Sequence, residues 1–300
     1  MSINRRWDPV VWREEDGFRM LCLAADYSAE GNSQPWWMGD NQMELWSGNT
    51  LDTMELVRAW PRTGTVWTAP SVFRTASGDV FACVGLNDEG QTPRQRIHIA
   101  DPYTMGHVAR LPDPPGQYAR GDRCAWRDAC IIQSEGDWLL TVTTGGFRWS
   151  TPPQVLLYRS DDPISGRWWC DGPLLDPVIA MRFAELERPQ LRRLFGRWVL
   201  LWSAWPERQF FSPGAAPVWL TVSLGDEPFF PRPPVNLNAP YGLHVVDGIA
   251  AGWHWIDRAS YTSQCIWATE PETLTDLISR LESSSCQNLV GSPTPGASGA

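Results

Sequence analysis

The chain of 300 residues has no lysine: all 25 of its basic residues are arginine, and they are outnumbered by 34 acidic residues. The formal net charge at pH 7 is therefore −9. Such a charge disfavours binding to nucleic acid or to an anionic membrane, because both need basic surfaces. The sequence also lacks an apolar run of about 18 residues and an apolar secretory signal near its start. We expect a cytoplasmic protein that binds neither nucleic acid nor membrane.

The sequence also lacks the common motifs of metal, cofactor and serine-hydrolase sites. The seven cysteines are scattered, odd in number and without a CxxC pair, and the four histidines have no metal-ligand spacing. These features predict reduced cysteine thiols in the core. The glycine-rich loops of dinucleotide and P-loop sites and the GxSxG elbow of serine hydrolases are also absent. We therefore expect no cofactor and no metal.

Aromatic residues are abundant by contrast, with 19 Trp, 10 Phe and 6 Tyr beside 26 Pro and 25 Gly. Few long stretches have helical periodicity, so the composition predicts an all-β protein. One short helix is predicted at residues 270–281, where leucines recur on one face. Residues 283–300 are rich in Ser, Gly, Pro and Ala, which predicts a flexible tail.

A repeat runs along the chain. Glycines at positions 17, 78, 136, 196 and 248 are spaced by 61, 58, 60 and 52 residues, and each lies between two short apolar runs. A strand, a glycine turn and a second strand form a hairpin, and repeats of this length with several strands are typical of propeller blades. We predict one five-bladed β-propeller over residues 1–282, with blades beginning near residues 7, 67, 126, 185 and 239. A β-sandwich with coincidental spacing is the alternative.

Carboxylates recur at one place in this repeat. When the repeats are aligned on their glycines, Asp8, Asp128 and Glu187 lie eight or nine residues before them, where an inner strand begins. Inner strands surround the axis of a propeller, so the three acids should meet at one mouth of its channel. Their mutual repulsion raises at least one pKa, which provides the protonated and ionised pair that cleaves an acetal. Calcium binding is the alternative, although no calcium-loop motif supports it.

Short motifs at these positions carry a resemblance to a known family. They are Trp7-Asp8, Trp67-Thr68, Arg127-Asp128-Ala129 and Glu185-Leu186-Glu187-Arg188-Pro189. Their order and phase resemble the five-bladed propeller superfamily of levansucrases, invertases and arabinanase/xylosidase enzymes, and most closely its levansucrase branch. The chain departs from that branch in Ala129, in Thr68-Ala69 and in its shorter length. The resemblance therefore implies a small glycoside as the substrate, with polymer synthesis disfavoured.

The resemblance also implies roles for these residues. Asp8 would be the nucleophile, Asp128 would stabilise the transition state through the sugar hydroxyls, and Glu187 would be the acid/base. The implied substrate-binding residues are Trp7, Trp67, Arg127, Glu185 and Arg188. We add Tyr241 and His244, near the start of the fifth inner strand, to this set. Structural interpretations of these residues stay open. Asp8 could cap a turn, Arg127 could serve only as an ion-pair partner, and the tryptophans could pack in the hydrophobic core.

The leading hypothesis is a glycoside hydrolase or fructosyl-transferring enzyme that acts on a small furanoside. An alternative is a non-hydrolytic enzyme of the same fold, which would use its carboxylates for acid/base cyclisation or rearrangement of a small apolar metabolite. A third is an inactive sugar-binding propeller. Since one fold hosts many functions, the architecture alone does not separate these hypotheses.

Overall fold

A computed structural model describes most of the chain between residues 5 and 269. The described ranges are 5–25, 41–61, 65–88, 96–118, 126–146, 151–194, 197–206, 218–223, 226–231, 234–236, 241–257 and 262–269. Within them the protein is all-β, with one short helix, α1 (Pro177–Ala180), and one 3-10 turn (Leu51–Thr53). No helix among the described residues is long and apolar enough to cross a membrane. The helix predicted at 270–281 and the tail predicted at 283–300 lie outside these ranges.

The strands follow one another as antiparallel meanders, in which each strand pairs with the next. The first meander is β1 (Arg5–Glu14), β2 (Gly17–Ala25), β3 (Gln42–Gly48) and β4 (Glu55–Pro61). The second is β5 (Thr65–Arg74), β6 (Val80–Asp88), β7 (Arg96–Ala100) and β8 (His107–Arg110).

Two further four-stranded sheets have the same order. One consists of β9 (Trp126–Ser134), β10 (Asp137–Gly146), β11 (Thr151–Ser160) and β12 (Trp169–Pro173). The other consists of β13 (Phe183–Leu194), β14 (Arg197–Pro206), β15 (Val218–Val222) and β16 (Val235–Asn236). Helix α1 connects them: the Asp176 side chain accepts a hydrogen bond from the Val178 amide at its N-terminus, and Pro177 begins it.

The last three strands join the first sheet. They are β17 (Tyr241–Val246), β18 (Ile249–Asp257) and β19 (Thr262–Thr269). Strand β19 pairs with β1 in parallel at Ser263 and Arg5, so the described strands form four sheets, one of which has seven strands. The parallel pairing brings the end of the described chain beside its beginning.

The first strand of each meander faces the centre of the molecule, and we call β1, β5, β9, β13 and β17 the inner strands. Each inner strand contacts the next, and β17 contacts β1, so they form a closed ring. The sheets radiate from this ring as in a propeller. The prediction of an all-β propeller is confirmed, and the sandwich alternative is wrong.

Apolar side chains fill the space between adjacent sheets. Trp12, Leu21 and Val72, for example, belong to one buried cluster between the first two meanders, and Trp126 and Phe73 belong to the next. Burial of such a side chain contributes about 1.5–3 kcal/mol. This packing holds the inner strands in fixed positions around the axis.

Every inner strand is interrupted at its middle by a β-bulge, in which two residues lie opposite one residue of the neighbouring strand. The bulged pairs are Asp8–Pro9, Ala69–Pro70, Asp128–Ala129, Arg188–Pro189 and Gly242–Leu243. Because a bulge changes the direction of the side chains around it, the regular alternation of each inner strand is broken at these five positions.

Glycines with positive φ occur at the inner hairpins, as the repeat predicts: Gly17, Gly78, Gly136 and Gly248 all have them. Gly196 lies outside the described ranges. The glycines differ in their surroundings. A Cβ on Gly17 would overlap the carbonyl oxygen of Gly48, whereas no atom of the described ranges, apart from the chain neighbours, lies within 4 Å of a Cβ on Gly78.

We expect Gly17→Ala to destabilise the protein more than Gly78→Ala. Both variants force a non-glycine residue into a positive-φ conformation, which costs about 1–3 kcal/mol. Only Gly17→Ala adds a backbone clash, so its cost should exceed that of Gly78→Ala by about 1 kcal/mol or more. Urea unfolding of both variants measures the difference; equal costs would contradict the close contact with Gly48.

Candidate active site

The candidate site is built on the bulges of the inner strands, and the strand register aligns them. The residues that immediately precede the bulges are Trp7, Thr68, Arg127, Glu187 and Tyr241. Glu187 is thus equivalent to Arg127, and Arg188 is equivalent to Asp8 and Asp128. The alignment on glycines, which gave Glu187 the same position as Asp8 and Asp128, is wrong by one residue.

The error has a local cause. In the β1–β2 hairpin the turn is at residues 15 and 16, so Gly17 is the first residue of β2. In the β9–β10 hairpin Gly136 lies in the turn itself, because Ser134 pairs with Asp137. The hairpin glycines therefore differ by one position between repeats, although the bulges align.

Three residues at the bulges adopt left-handed backbone conformations without being glycine. The φ angles are 51° for Asp8, 60° for Asp128 and 54° for Arg188. Each such residue costs of the order of 1–3 kcal/mol, and strain of this kind is concentrated at functional sites. In β17 the equivalent residue is Gly242, which adopts φ 66° at no such cost.

Arg127 gathers three carboxylates into one group, which we call the Arg127 cluster (Arg127, Asp128, Glu185 and Glu187). Its Nη2 lies 2.8 Å from Oε2 of Glu185 and 2.9 Å from Oε1 of Glu187, and its Nε lies 3.6 Å from Oδ2 of Asp128. The four side chains are largely buried. Strands β9 and β13, which carry the cluster, are neighbours in the ring.

The charges of the cluster alter its proton affinities. Burial alone would lower the pKa of Arg127, but Glu187, Glu185 and Asp128 together raise it above its usual value. Arg127 therefore remains charged. Burial raises the pKa of Asp128, although Arg127 and Arg188 oppose this effect.

The pKa of Glu187 bears most directly on what the site can do chemically. Burial raises its pKa to about 8; Arg127 opposes the shift, while the charges of Glu185, Asp128 and Asp8 add to it. Asp8 is partly buried and comes from β1, across the ring from β13. The structure thus brings the three predicted acids within electrostatic reach of one another, with Glu187 protonated near neutral pH.

The two tryptophans of the predicted site are buried. Trp7 and Trp67 are each 3% exposed and belong to the hydrophobic cluster between the first two meanders. The backbone of Trp67 is also held by the Asn41 side chain, which accepts from its amide at 2.8 Å and donates to its carbonyl at 2.7 Å. Both rings pack against apolar side chains of this cluster, and contact of either ring with a sugar stays a prediction.

Arg188 and His244, which are predicted to bind substrate, are both buried. Arg188 is 4% exposed, and its Nη1 and Nη2 donate to the carbonyls of Pro70 (2.8 Å) and Pro9 (3.1 Å). The imidazole Nε2 of His244 has no hydrogen-bond partner among the residues that the structure describes. Burial, and then Arg188 and Arg192, hold the pKa of His244 well below its usual value. The side chain of Tyr241 lies outside the described part of the structure.

Sequence reasoning missed three polar residues that support the bulges. Ser71 donates to the Ala129 carbonyl at 2.6 Å, Thr141 donates to the Pro189 carbonyl at 3.0 Å, and Gln190 donates to the carbonyl of Leu243. All three are buried among apolar strand residues. A polar residue at the middle of an apolar strand is the signal that could have identified them.

The cationic partner of the carboxylates is an arginine. Within the described ranges, no group of three or more His, Cys, Asp or Glu side chains is placed to hold a metal ion. Arg127 itself lies between the acids at hydrogen-bond distance. This arrangement can donate a proton, accept one, and present further carboxylates to a bound substrate.

We expect the free energy of unfolding to decrease as the pH rises from about 4.5 to about 8, because of the shifted pKa of Glu187. Its pKa rises from 4.5 to about 8 on folding, so unfolding in this range releases its proton, and higher pH favours the unfolded chain. Melting temperatures across this range should therefore fall less steeply for Glu187→Gln than for wild type. Exposed Glu15 provides the control Glu15→Gln; parallel curves for Glu187→Gln and wild type would contradict the shift.

By sequence the chain matches no protein-family model and no curated protein. Solved structures are similar to it in fold. A GH32 β-fructofuranosidase from Bombyx mori superposes with a TM-score of 0.58 at 15% identity, over 87% of this chain and 60% of that enzyme. The present chain thus spans less than two thirds of that protein.

Two other similar structures are nearer in length. An arabinanase from Bacillus subtilis has a TM-score of 0.60 at 11% identity, with 88% of this chain and 93% of that chain covered. An inulosucrase from Halalkalicoccus jeotgali has a TM-score of 0.55 at 17% identity, with 84% and 75% covered. The chain therefore has the β-propeller fold of these glycoside hydrolases and transferases.

Proposed function

We propose that the protein is a glycoside hydrolase or glycosyl-transferring enzyme that acts on a small furanoside. The observation that carries this proposal is the Arg127 cluster: Arg127 holds Glu185 and Glu187 within 2.9 Å beside Asp128, and the pKa of Glu187 is raised to about 8. A carboxylic acid that keeps its proton near neutral pH, close to other carboxylates, is what acetal cleavage requires.

In the first step, Glu187 transfers its proton to the leaving-group oxygen as the glycosidic bond breaks. The carboxylate of Asp8 attacks the anomeric carbon and forms a covalent glycosyl ester, while the electron pair of the broken bond remains on the leaving oxygen. Asp128 binds the sugar hydroxyls and favours the positive charge that develops on the ring. Arg127, 2.9 Å from Glu187, stabilises the carboxylate that Glu187 becomes.

In the second step Glu187 acts as the base. The charge of Asp8 contributes to the raised pKa of Glu187, and ester formation removes that charge. The pKa of Glu187 therefore falls in the intermediate, which favours its ionised form. Glu187 then takes a proton from water or an acceptor alcohol, whose oxygen attacks the anomeric carbon and releases Asp8.

We further propose that the propeller has five blades in one domain over residues 1–282. The four meanders of four strands would be four blades. Strands β17–β19 would be the fifth, since they join the seven-stranded sheet only through the parallel pairing of Arg5 with Ser263. The closed ring of five inner strands supports this count.

The furanoside assignment rests on two supports. The motifs around Asp8, Arg127 and Glu187 resemble those of levansucrases, and two structures of similar fold are named as a β-fructofuranosidase and an inulosucrase. The shorter chain favours a small substrate. Trp7 and Trp67 lie in the core, so they give no support to an apolar pocket of the kind that cyclisation of an apolar metabolite would need.

We expect wild type to release sugar from at least one of sucrose, raffinose and aryl furanosides. Glu187→Gln should lose turnover by about 10²–10⁴-fold on sucrose or raffinose, because their leaving groups need a proton. The loss should be smaller on a nitrophenyl furanoside, whose leaving group departs as a stable anion. Chromatography of the released sugar measures both.

Glu15→Gln is the matched control and should retain wild-type turnover, since Glu15 is exposed at a hairpin turn. Absence of release from every sugar by folded wild type would reject the glycosidase proposal in favour of the non-carbohydrate enzyme. Sugar binding without turnover would favour the inactive binding propeller.

We also expect the anomeric configuration to be retained, because Asp8 forms a covalent intermediate and two inversions restore the starting configuration. Proton NMR of the first-formed anomer measures this outcome directly. Asp8→Asn should abolish turnover on all substrates, including nitrophenyl furanosides. An inverted first product would instead assign Asp8 the role of a base that activates water.

A further inference from the structure

We infer that Arg188 is a positioning residue of the site, which holds the carboxylates of Asp8 and Asp128 in place without contacting the substrate. Its role as a positioning residue for catalysis rests on the proposed function, whereas its contacts do not. Arg188 connects the bulges of β1, β5 and β9, two of which carry these acids.

The side chain of Arg188 crosses the ring of inner strands. It originates on β13, whose neighbours in the ring are β9 and β17. Its Nη2 and Nη1 nevertheless donate to the carbonyls of Pro9 on β1 and Pro70 on β5. The planar guanidinium therefore links these two bulges and fixes their separation.

The bond to Pro9 holds the residue that follows the proposed nucleophile. Pro9 follows Asp8 in the bulge, and Asp8 has the left-handed φ of 51°. Such a conformation persists only where its surroundings hold it. Proline has no amide hydrogen, so the Pro9 carbonyl is its only backbone hydrogen-bonding group, and Arg188 occupies it. Loss of this bond lets the bulge relax and moves the Asp8 carboxylate.

A second contact acts on Asp128. The backbone amide of Arg188 donates to Oδ2 of Asp128 at 3.2 Å, which orients the carboxylate. The positive charge of Arg188 also lowers the pKa of Asp128, against the effect of burial. The guanidinium makes no ion pair within the described part of the chain, since both of its bonds go to neutral carbonyls. Its charge is thus available to favour the ionised form of Asp128.

The test compares Arg188→Met, Arg188→Lys and Gln190→Met. Arg188→Met removes both the bonds and the charge, and Arg188→Lys keeps a charge but cannot span two carbonyls. Gln190→Met is the matched control: Gln190 also bonds a bulge from β13, but its partners, the Leu243 carbonyl and the Val245 amide, are on β17, which contributes no acid. All three should lower the melting temperature.

In steady-state kinetics we expect both Arg188 variants to lose about 10²-fold in kcat, with KM changed only a few-fold, because displacement of a reacting group by about 1 Å costs this much. Gln190→Met should keep its kcat at temperatures where it is folded. A folded Arg188→Lys or Arg188→Met with wild-type kcat, or an equal loss of kcat in Gln190→Met, would overturn the inference.

A second measurement needs no turnover. Carbon-13 NMR of labelled aspartate carboxyls, assigned with Asp128→Asn, should show a higher pKa for Asp128 in Arg188→Met than in wild type, with no change in Gln190→Met. If the wild type acts on no sugar, the proposed function fails, but this titration still tests Arg188. An unchanged titration of Asp128 in folded Arg188→Met would remove the electrostatic part of the inference.

Discussion

The site depends on how the backbone carbonyls at the bulges of the inner strands are hydrogen-bonded. A bulge takes a carbonyl out of the strand pairing, and inside the closed ring that carbonyl needs another donor. Buried carbonyls without partners are costly, and the bulges remove these from the sheet ladders. In each inner strand the carbonyl of the second bulge residue accepts a bond from a side chain. The pairs are Pro9 and Pro70 with Arg188, Ala129 with Ser71, Pro189 with Thr141, and Leu243 with Gln190. These bonds connect the inner strands of different sheets. Apolar packing is non-directional, so it does not fix the register and orientation of the strands as these bonds do.

The same bulges give the site its chemistry. A regular strand would alternate its side chains between the two faces of a sheet, and a left-handed residue breaks this alternation. Asp8 and Asp128 are in that conformation, and Arg127 and Glu187 immediately precede bulged residues. The strain at these positions is offset by the carbonyl bonds and by packing between the sheets. Stability and acid placement are therefore coupled at the bulges of β1 and β9, since weakening the supports of these bulges also moves the carboxylates of Asp8 and Asp128.

The sequence was sufficient for the architecture because its signals there are local. Glycine turns between apolar runs predicted hairpins, and their repetition predicted a propeller. The candidate acids were selected by the same kind of signal: Asp8 and Asp128 lie at one place in their repeats, and Glu187 lies one residue earlier. The one-residue error at Glu187 arose because Gly17 starts a strand whereas Gly136 lies in a turn. The role of Arg188 could not be read from the sequence, because its bond to Pro9 joins residues 179 positions apart. The burial of Trp67 could not be predicted, because an aromatic residue beside a motif has the same sequence pattern whether it packs or binds.

The absence of lysine is consistent with what the Arg127 cluster needs from its cation. A buried lysine loses its proton readily, since burial lowers its pKa, and the carboxylates around it would then repel one another without compensation. Arg127 keeps its charge, and its carboxylate neighbours raise its pKa further. Its guanidinium also presents nitrogens at fixed angles, so Glu185 and Glu187 are held by Nη2 while Nε faces Asp128. Because the guanidinium is planar and always charged, it can hold the Glu187 carboxyl in one position while that group gains or loses a proton. A two-step acid/base mechanism requires this property.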